Sequence, residues 1–266
     1  MNALEFSFIL SVVVAMLSSF VPFTMDIFAF PLSTVLIIIG KSILSGLAFL
    51  LVMKSLQEND ISSALPLLGL TPAVTALVSL IILQEKITEF EWIGVGLIIA
   101  GTTLLEKRPS TDSLQSVKIY FTSKKYYYVF GAVGLFSFSS VIDKFLMSSI
   151  KVNPFIVLFY QHIVYVFILS MMMFSKKISI NTIIQKGKEE FPSIIVVALL
   201  TLAYRYTQLE ATKLAPVALV LAVKRTSILY ASFFGGKLFS EDRLTIKLIG
   251  AVLIVVAGFI ILRNVG

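Results

Sequence analysis

The chain has 266 residues, of which 58% are apolar and 14% are charged, whereas a soluble domain carries about 25% charged residues. A folded chain of this composition would expose large apolar patches in water, so the composition predicts a membrane protein. The absence of cysteine excludes disulfides, thiolate metal sites and cysteine nucleophiles. The net charge of +7 is scattered over short loops, which is typical of the positive-inside rule and argues against nucleic-acid binding.

Apolar stretches long enough for a bilayer core, which needs roughly 20 residues per helix, recur along the whole chain. In chain order we predict about nine spans, at residues 5–23, 31–53, 61–83, 91–105, 126–148, 154–174, 192–209, 215–235 and 246–262. Glycine and proline are few and the apolar residues do not alternate, so the spans are helices and not barrel strands. The predicted fold is therefore an all-α, polytopic transmembrane helix bundle. The first stretch lacks a basic n-region, so no signal peptide is expected.

Two polar segments interrupt this pattern. Residues 107–125 form a basic linker loop, which divides the chain into residues 1–106 and 126–266. Residues 175–191 form the second segment, which can carry a short amphipathic surface helix.

The two sides of the linker show an internal repeat. Residues 2–8 align with 153–159, and the turn at 84–88 aligns with 240–245. The second copy has a span before its Asn153, whereas the first copy starts at Asn2. We therefore predict two structural repeats of four and five helices, the first lacking its first helix. An odd number of helices per full unit inverts the second copy, which is typical of secondary transporters.

Several of these segments carry a family resemblance. In the first half they are residues 53–67, 70–76, 84–88 and 94–101, and in the second half residues 141–144, 214–216, 224–227 and 241–245. Their sequence and order resemble the EamA type of the drug/metabolite transporter superfamily, over nearly the whole chain.

The resemblance implies ten helices in two inverted five-helix repeats and the export or exchange of small solutes, such as amino acids, metabolites, nucleotide-linked sugars or drugs. It implies a multi-pass protein of the plasma membrane, with a small solute and the lipid bilayer as its partners. The missing first helix normally helps to line the cavity, and either a truncated sequence or a degenerate copy would explain its absence. A non-transporting membrane scaffold or lipid-handling protein is the alternative function.

Two arguments give opposite membrane orientations. The basic residues of the second half lie mostly in the loops at 107–125, 175–191 and 237–247, which places these loops in the cytoplasm and the C-terminus outside. The resemblance implies a cytoplasmic C-terminus.

Charged residues inside the spans are the candidate functional residues, because an ionisable group at bilayer depth is costly and usually functional. Lys224 and Arg225 are adjacent in an apolar stretch and cannot both reach one interface. We predict that they bind an anionic substrate group, Arg225 by a two-pronged contact and Lys224 as a point charge. Structural pairing with Asp143 or Glu210 is the alternative.

Lys41 is the isolated cation of the first half, and a helix that begins near it would instead place it at an interface. Arg205 lies between Tyr204 and Tyr206, which suits cation–π or hydroxyl contacts around a substrate, although an interfacial aromatic belt explains the same triplet. We predict an anion-tolerant substrate cavity lined by Lys41, Tyr204, Arg205, Lys224 and Arg225.

Other polar or helix-breaking residues have supporting roles. Asp143 is predicted as the counter-ion of Lys224 or Arg225, with coupling to a proton or cation as the alternative. His162 is either a polar packing contact or a proton relay. Pro66 and Pro72 are predicted to break a helix, since proline removes a helix donor. Gly40 and Gly46 are assigned to helix packing.

Nothing in the sequence indicates an enzyme. The single histidine argues against a multi-histidine metal site, and neither a phosphate-binding loop nor a nucleophile motif occurs. We therefore expect no catalytic residues, no metal and no cofactor.

Overall fold

The computed structural model describes residues 3–27, 29–58, 68–84, 88–106, 124–225, 227, 249–250, 252–253, 256–257 and 260. These residues form helices α1 (Ala3–Leu17), α2 (Val21–Thr24), α3 (Leu32–Glu58), α4 (Thr71–Ile82), α5 (Glu89–Glu106), α6 (Lys124–Ser148), α7 (Pro154–Ser175), α8 (Ile180–Glu189), α9 (Phe191–Leu214) and α10 (Val217–Arg225). A 3₁₀ turn at Leu68–Leu70 precedes α4. No strand occurs in the described ranges, and the predicted all-α fold is confirmed.

Five of the described segments are long and apolar enough to cross a membrane. They are Leu4–Thr24, Leu32–Ser55, Tyr126–Ser148, Pro154–Ser175 and Phe191–Leu214, which correspond to five of the predicted spans. The last of them runs five residues beyond its predicted end at residue 209. The chain is therefore a multi-pass membrane protein.

The other four predicted spans are described only in part or have shorter helices. Leu68–Ile82 is a shorter apolar helix, and the beginning of its predicted span, 61–67, lies outside the described residues. The span predicted at 91–105 corresponds to α5, and α10 begins the one predicted at 215–235. Most of 246–262 is not described.

The described contacts divide the chain into two compact units. Unit 1 contains residues 1–46 and 142–214, and unit 2 contains residues 47–141 and 215–266. Helices α3 and α6 contribute residues to both units. The division into repeats at 1–106 and 126–266 stays a prediction, since packing units and duplicated segments are different properties of a chain.

Unit 1 is built around α1, α7 and α9, which contact one another. Val14 on α1 and Ile194 and Ala198 on α9 are completely buried. A second group of buried side chains consists of Ile38, Leu146, Leu158 and Leu209. Large apolar side chains such as Phe167 and Leu200 stay exposed, as expected for a surface in contact with lipid tails.

Unit 2 packs α4 against α10. The contact uses small residues, with Ala73 and Ala76 of α4 facing Ala218, and small residues let two helix backbones approach closely. Ser137 of α6 donates to the Thr71 carbonyl at 3.3 Å.

The polar segment at 175–191 contains the expected surface helix, α8. Its buried side carries Ile183 and Gly187, and the Cβ position of Gly187 is 3.2 Å from Ile9 Cδ1. Lys186 donates to both carboxylate oxygens of Glu5 at 3.0 Å. These contacts hold α8 against α1 in unit 1.

The start of α7 has an N-cap that can be tested. Asn153 has an extended backbone, its side-chain oxygen accepts from Phe155 N at 2.9 Å, and Pro154 follows in the first turn. Replacing Asn153 by alanine is expected to lower the free energy of unfolding by about 1 kcal/mol, because the amide loses its acceptor. Thermal unfolding in detergent measures the effect. Asn153→Ser should keep most of the stability, and equal losses in both variants would contradict the cap.

Candidate functional site

Unit 1 contains a cluster of four polar side chains from four helices. They are Lys41 on α3, Asp143 on α6, Gln161 on α7 and Arg205 on α9, hereafter the buried charge cluster. Each helix is otherwise apolar over most of its length, so hydrophobic packing of the helices positions these polar groups side by side. All four residues lie within segments that are long and apolar enough to cross a membrane.

Lys41 is the most deeply buried member of the cluster. Its side chain is fully buried, and its Nζ lies 2.6 Å from Asp143 Oδ1. It also donates to Gln161 Oε1 at 2.6 Å. Lys41 is nine residues after the first residue of α3, so the alternative of a helix that begins near Lys41 does not hold.

The helix around Lys41 satisfies its own hydroxyl groups. Ser42 donates to the Ile38 carbonyl at 2.6 Å, and Ser45 donates to the Lys41 carbonyl at 3.0 Å. These bonds stay within α3, whereas Lys41 reaches out of the helix to Asp143 and Gln161.

Arg205 approaches the same carboxylate from α9. Its Nη2 lies 3.3 Å from Asp143 Oδ2 and donates to Gln161 Oε1 at 3.0 Å, while Nη1 donates to Gln208 Oε1 at 3.2 Å. Its Nε is buried and has no hydrogen-bond partner among the described residues. Nε is thus an unused donor of Arg205, whose side chain is 13% exposed.

Gln161 connects the two cations. Its Oε1 accepts from both Lys41 and Arg205, and its Nε2 donates to the Tyr165 hydroxyl at 3.0 Å. Two cationic donors, Lys41 and Arg205, face the same end of the Gln161 amide, and only the amide oxygen can accept from them. The orientation of this amide therefore follows from the hydrogen-bond network.

Close packing of α7 against α3 supports this arrangement. A Cβ at Gly46 would lie 2.9 Å from Ile168 Cδ1 and 3.5 Å from Tyr165 Cε1. Glycine at this position therefore leaves room for the end of the Ile168 side chain, beside the Tyr165 ring. The Cβ position of Gly40, by contrast, has no atom within 4 Å among the described contacts, so only Gly46 has the expected packing role.

Three of the residues singled out in the sequence come together here. Lys41, Asp143 and Arg205 form one ion-paired group. The sequence indicated Lys224 or Arg225 as the partner of Asp143, whereas the described partners are Lys41 and Arg205. Glu210 was the other proposed partner of Lys224 and Arg225. In the structure it pairs with Lys213 on its own helix at 2.7 Å.

The aromatic residues beside Arg205 point in different directions. Tyr204 is 40% exposed. The ring of Tyr206 stacks on Phe155 with centroids 4.6 Å apart. A cation–π contact of Arg205 with Tyr206 is therefore not part of this arrangement.

His162 is buried but separate from the cluster. Its Nδ1 lies 2.9 Å from the Leu158 carbonyl, and a carbonyl only accepts, so Nδ1 carries the proton. Its ring makes an edge contact with Tyr165 at 5.7 Å. No hydrogen bond among the described residues joins it to Asp143, and this geometry fits a packing contact.

The remaining predicted residues lie in unit 2. Lys224 is half-buried near the end of α10, and Arg225 is the last residue of that helix; the side chain of Arg225 lies outside the described residues. Pro72 is in the first turn of α4, directly after the 3₁₀ turn. Pro66 lies outside the described part of the chain.

Two residues that bond to the cations of the cluster were not assigned a role from the sequence. Gln161 had only the weak signal of an amide in an apolar span. Gln208 follows Arg205 by three residues and therefore shares its helix face, which is a signal that periodicity could have provided.

The chemistry of the cluster is recognition of charge. One carboxylate is shared by two cations, and apolar residues of similar size would often give equal or greater stability at such a position. Stability alone is therefore a weak explanation for charges in helices of membrane length.

Comparison with known proteins adds the family. No curated protein matches the chain in sequence. Residues 1–106 match the model of the EamA-like transporter family, and these limits coincide with those of the predicted first repeat. The resemblance to EamA-type transporters is thus confirmed over residues 1–106.

Proposed function

We propose that the protein moves small solutes across the plasma membrane by alternating access between two inverted repeats, and that the buried charge cluster binds the solute. The observation that carries this proposal is the cluster itself, with two cations and one carboxylate held inside apolar, membrane-length helices. Ionisable groups at this depth typically belong to substrate or ion pathways. The family match supports transport as the activity.

The Asp143 carboxylate, which two cations share, also fits a transport cycle with two conformational states. An ion pair between helices stabilises one arrangement, and an arriving ligand that pairs with one of the cations favours another. A ligand shifts such an equilibrium only through its different affinities for the two states. Asp143 provides that difference, because it competes with an anionic ligand for Arg205.

Uptake of labelled solutes into proteoliposomes tests the function. We expect the wild-type protein to accumulate or exchange some members of a panel of amino acids, organic acids, sugars and aromatic amines, and Arg205→Gln to lose most of this activity. Lys213→Gln is the matched control, since Lys213 lies on the same helix in an exposed pair with Glu210. Absence of uptake for the whole panel would contradict transport and favour the scaffold or lipid-handling alternative.

We propose a second anion-binding position at Lys224 and Arg225. Adjacent cations in an apolar stretch of unit 2 support it. Replacing both by alanine is expected to reduce uptake of anionic solutes at least tenfold while leaving the amount of folded protein similar. Unchanged uptake of every anionic solute that the wild type carries would show that this assignment is wrong.

A further inference from the structure

We infer that the substrate carries a carboxylate, which binds side-on to the Nε and Nη2 atoms of Arg205 and takes the place of Asp143 on that guanidinium. This inference rests on the proposed transport function and adds the chemical class of the solute. It follows from an unequal sharing of Asp143 and from an unused donor on Arg205.

Asp143 is held more firmly by Lys41 than by Arg205. Its Oδ1 lies 2.6 Å from Lys41 Nζ, whereas its Oδ2 lies 3.3 Å from Arg205 Nη2. The first distance is that of a short charge-assisted hydrogen bond, and the second lies beyond the usual range. A competing anion therefore displaces Asp143 from Arg205 and leaves it on Lys41.

Arg205 has the donors that such an anion needs. Nε is buried without a partner among the described residues, and its N–H points along the same edge of the planar guanidinium as one N–H of Nη2. A carboxylate accepts two parallel N–H bonds along such an edge. An unused buried donor is costly, and a carboxylate on this edge would remove that cost.

The exposure of the side chain distinguishes Lys41 from Arg205. The Lys41 side chain is completely buried, whereas that of Arg205 is 13% exposed. Gln208 holds Nη1 at 3.2 Å and thereby fixes the orientation of the guanidinium. An entering solute therefore meets Arg205 first.

The charge of the cluster favours a single carboxylate. When the substrate occupies Arg205, Asp143 remains with Lys41, and each cation then has one anion. A second negative charge on the solute has no further cation within the cluster. The site therefore selects monocarboxylates over dicarboxylates and over inorganic phosphate.

Binding to the purified protein in detergent provides the test. The probes are carboxylates and their uncharged amides, as pairs: lactate and lactamide, benzoate and benzamide. We expect at least one carboxylate to raise the unfolding temperature where its amide does not, with succinate and phosphate weaker. Arg205→Lys should weaken carboxylate binding by roughly tenfold or more, since lysine keeps the charge but lacks the two-pronged edge. Lys213→Gln should bind as the wild type.

A measurement on the wild type avoids dependence on variants that fold poorly. Phenylglyoxal modifies accessible arginines, and mass spectrometry assigns the modified position. The effective carboxylate should slow modification of Arg205, and its amide should not. Equal protection by acid and amide, or stabilisation by none of the carboxylates, would overturn the inference.

Asp143→Asn separates the role of the counter-ion. The cluster gains one positive charge, so the preference should shift from monocarboxylates towards succinate. An unchanged preference contradicts replacement of Asp143 by the substrate. Uptake of neutral solutes alone, insensitive to Arg205→Lys, would sink this inference while the proposed transport function stands.

Discussion

Asp143→Ala is expected to destabilise the protein more than any other single substitution in the buried charge cluster. The change leaves Lys41 and Arg205 close together without the carboxylate that lies 2.6 Å from one and 3.3 Å from the other. Breaking a buried ion pair by removing one partner costs about 3–5 kcal/mol, because an uncompensated charge stays buried. The unfolding temperature in detergent and the yield of folded protein measure the effect.

Two matched variants distinguish charge balance from simple loss of a contact. Lys41→Met removes one cation and leaves Asp143 and Arg205 as a one-to-one pair, so its loss of stability should be smaller. Glu210→Ala breaks a pair whose side chains are about one-third exposed, 33% for Lys213 and 36% for Glu210, and such pairs contribute roughly 0–1 kcal/mol. If Asp143→Ala is no more damaging than Glu210→Ala, the cluster does not stabilise unit 1.

Gly46→Val is the second substitution for which we expect a large loss. The Cβ alone would lie 2.9 Å from Ile168 Cδ1 and 3.5 Å from the Tyr165 ring, and the two methyl groups of valine extend further. Overpacking of this kind costs about 1–3 kcal/mol. The unfolding temperature in detergent measures the loss.

Gly40→Val on the same helix is the control. Its Cβ position has no neighbour within 4 Å among the described contacts, so we expect a change of less than about 1 kcal/mol. Adding Ile168→Ala to Gly46→Val should recover part of the lost stability by making room. Equal effects of the two valine substitutions would contradict the close contact at Gly46.

The sequence identified the members of the cluster better than their pairing. Lys41, Asp143 and Arg205 stand out because charge is rare in an apolar span, and this signal is local. Which cation pairs with Asp143 depends on how four helices pack, and no local pattern contains that information. Adjacent Lys224 and Arg225 gave a stronger local signal than Lys41, yet the described partners of Asp143 lie on α3 and α9.

The two glycines of α3 show the same limit. Gly40 and Gly46 are six residues apart, which rotates one by about 240° from the other around the helix. Both are small residues in an apolar span, so the sequence assigns packing to both. Only the position that faces α7 meets a neighbour.

Span prediction succeeded where the apolar run is long and uninterrupted. The bounds of α6 and α7 agree with their predictions to within two residues. Within the span predicted at 61–83, the described residues form a 3₁₀ turn followed by α4, and Pro72 is in the first turn of α4. Proline is favoured in a first turn, where its missing N–H has no intrahelical partner to lose.

The ion pair of Lys41 has a consequence for the order of synthesis. Asp143 follows Lys41 by 102 residues and Gln161 follows it by 120, so the ribosome delivers the cation to the membrane long before either partner exists. A lysine at the centre of a single inserted helix costs roughly 2.5–3.5 kcal/mol on the insertion scale. Lys41 therefore makes the insertion of α3 less favourable until α6 follows, and a nascent chain that ends before Asp143 should anchor α3 less firmly than one that extends beyond it.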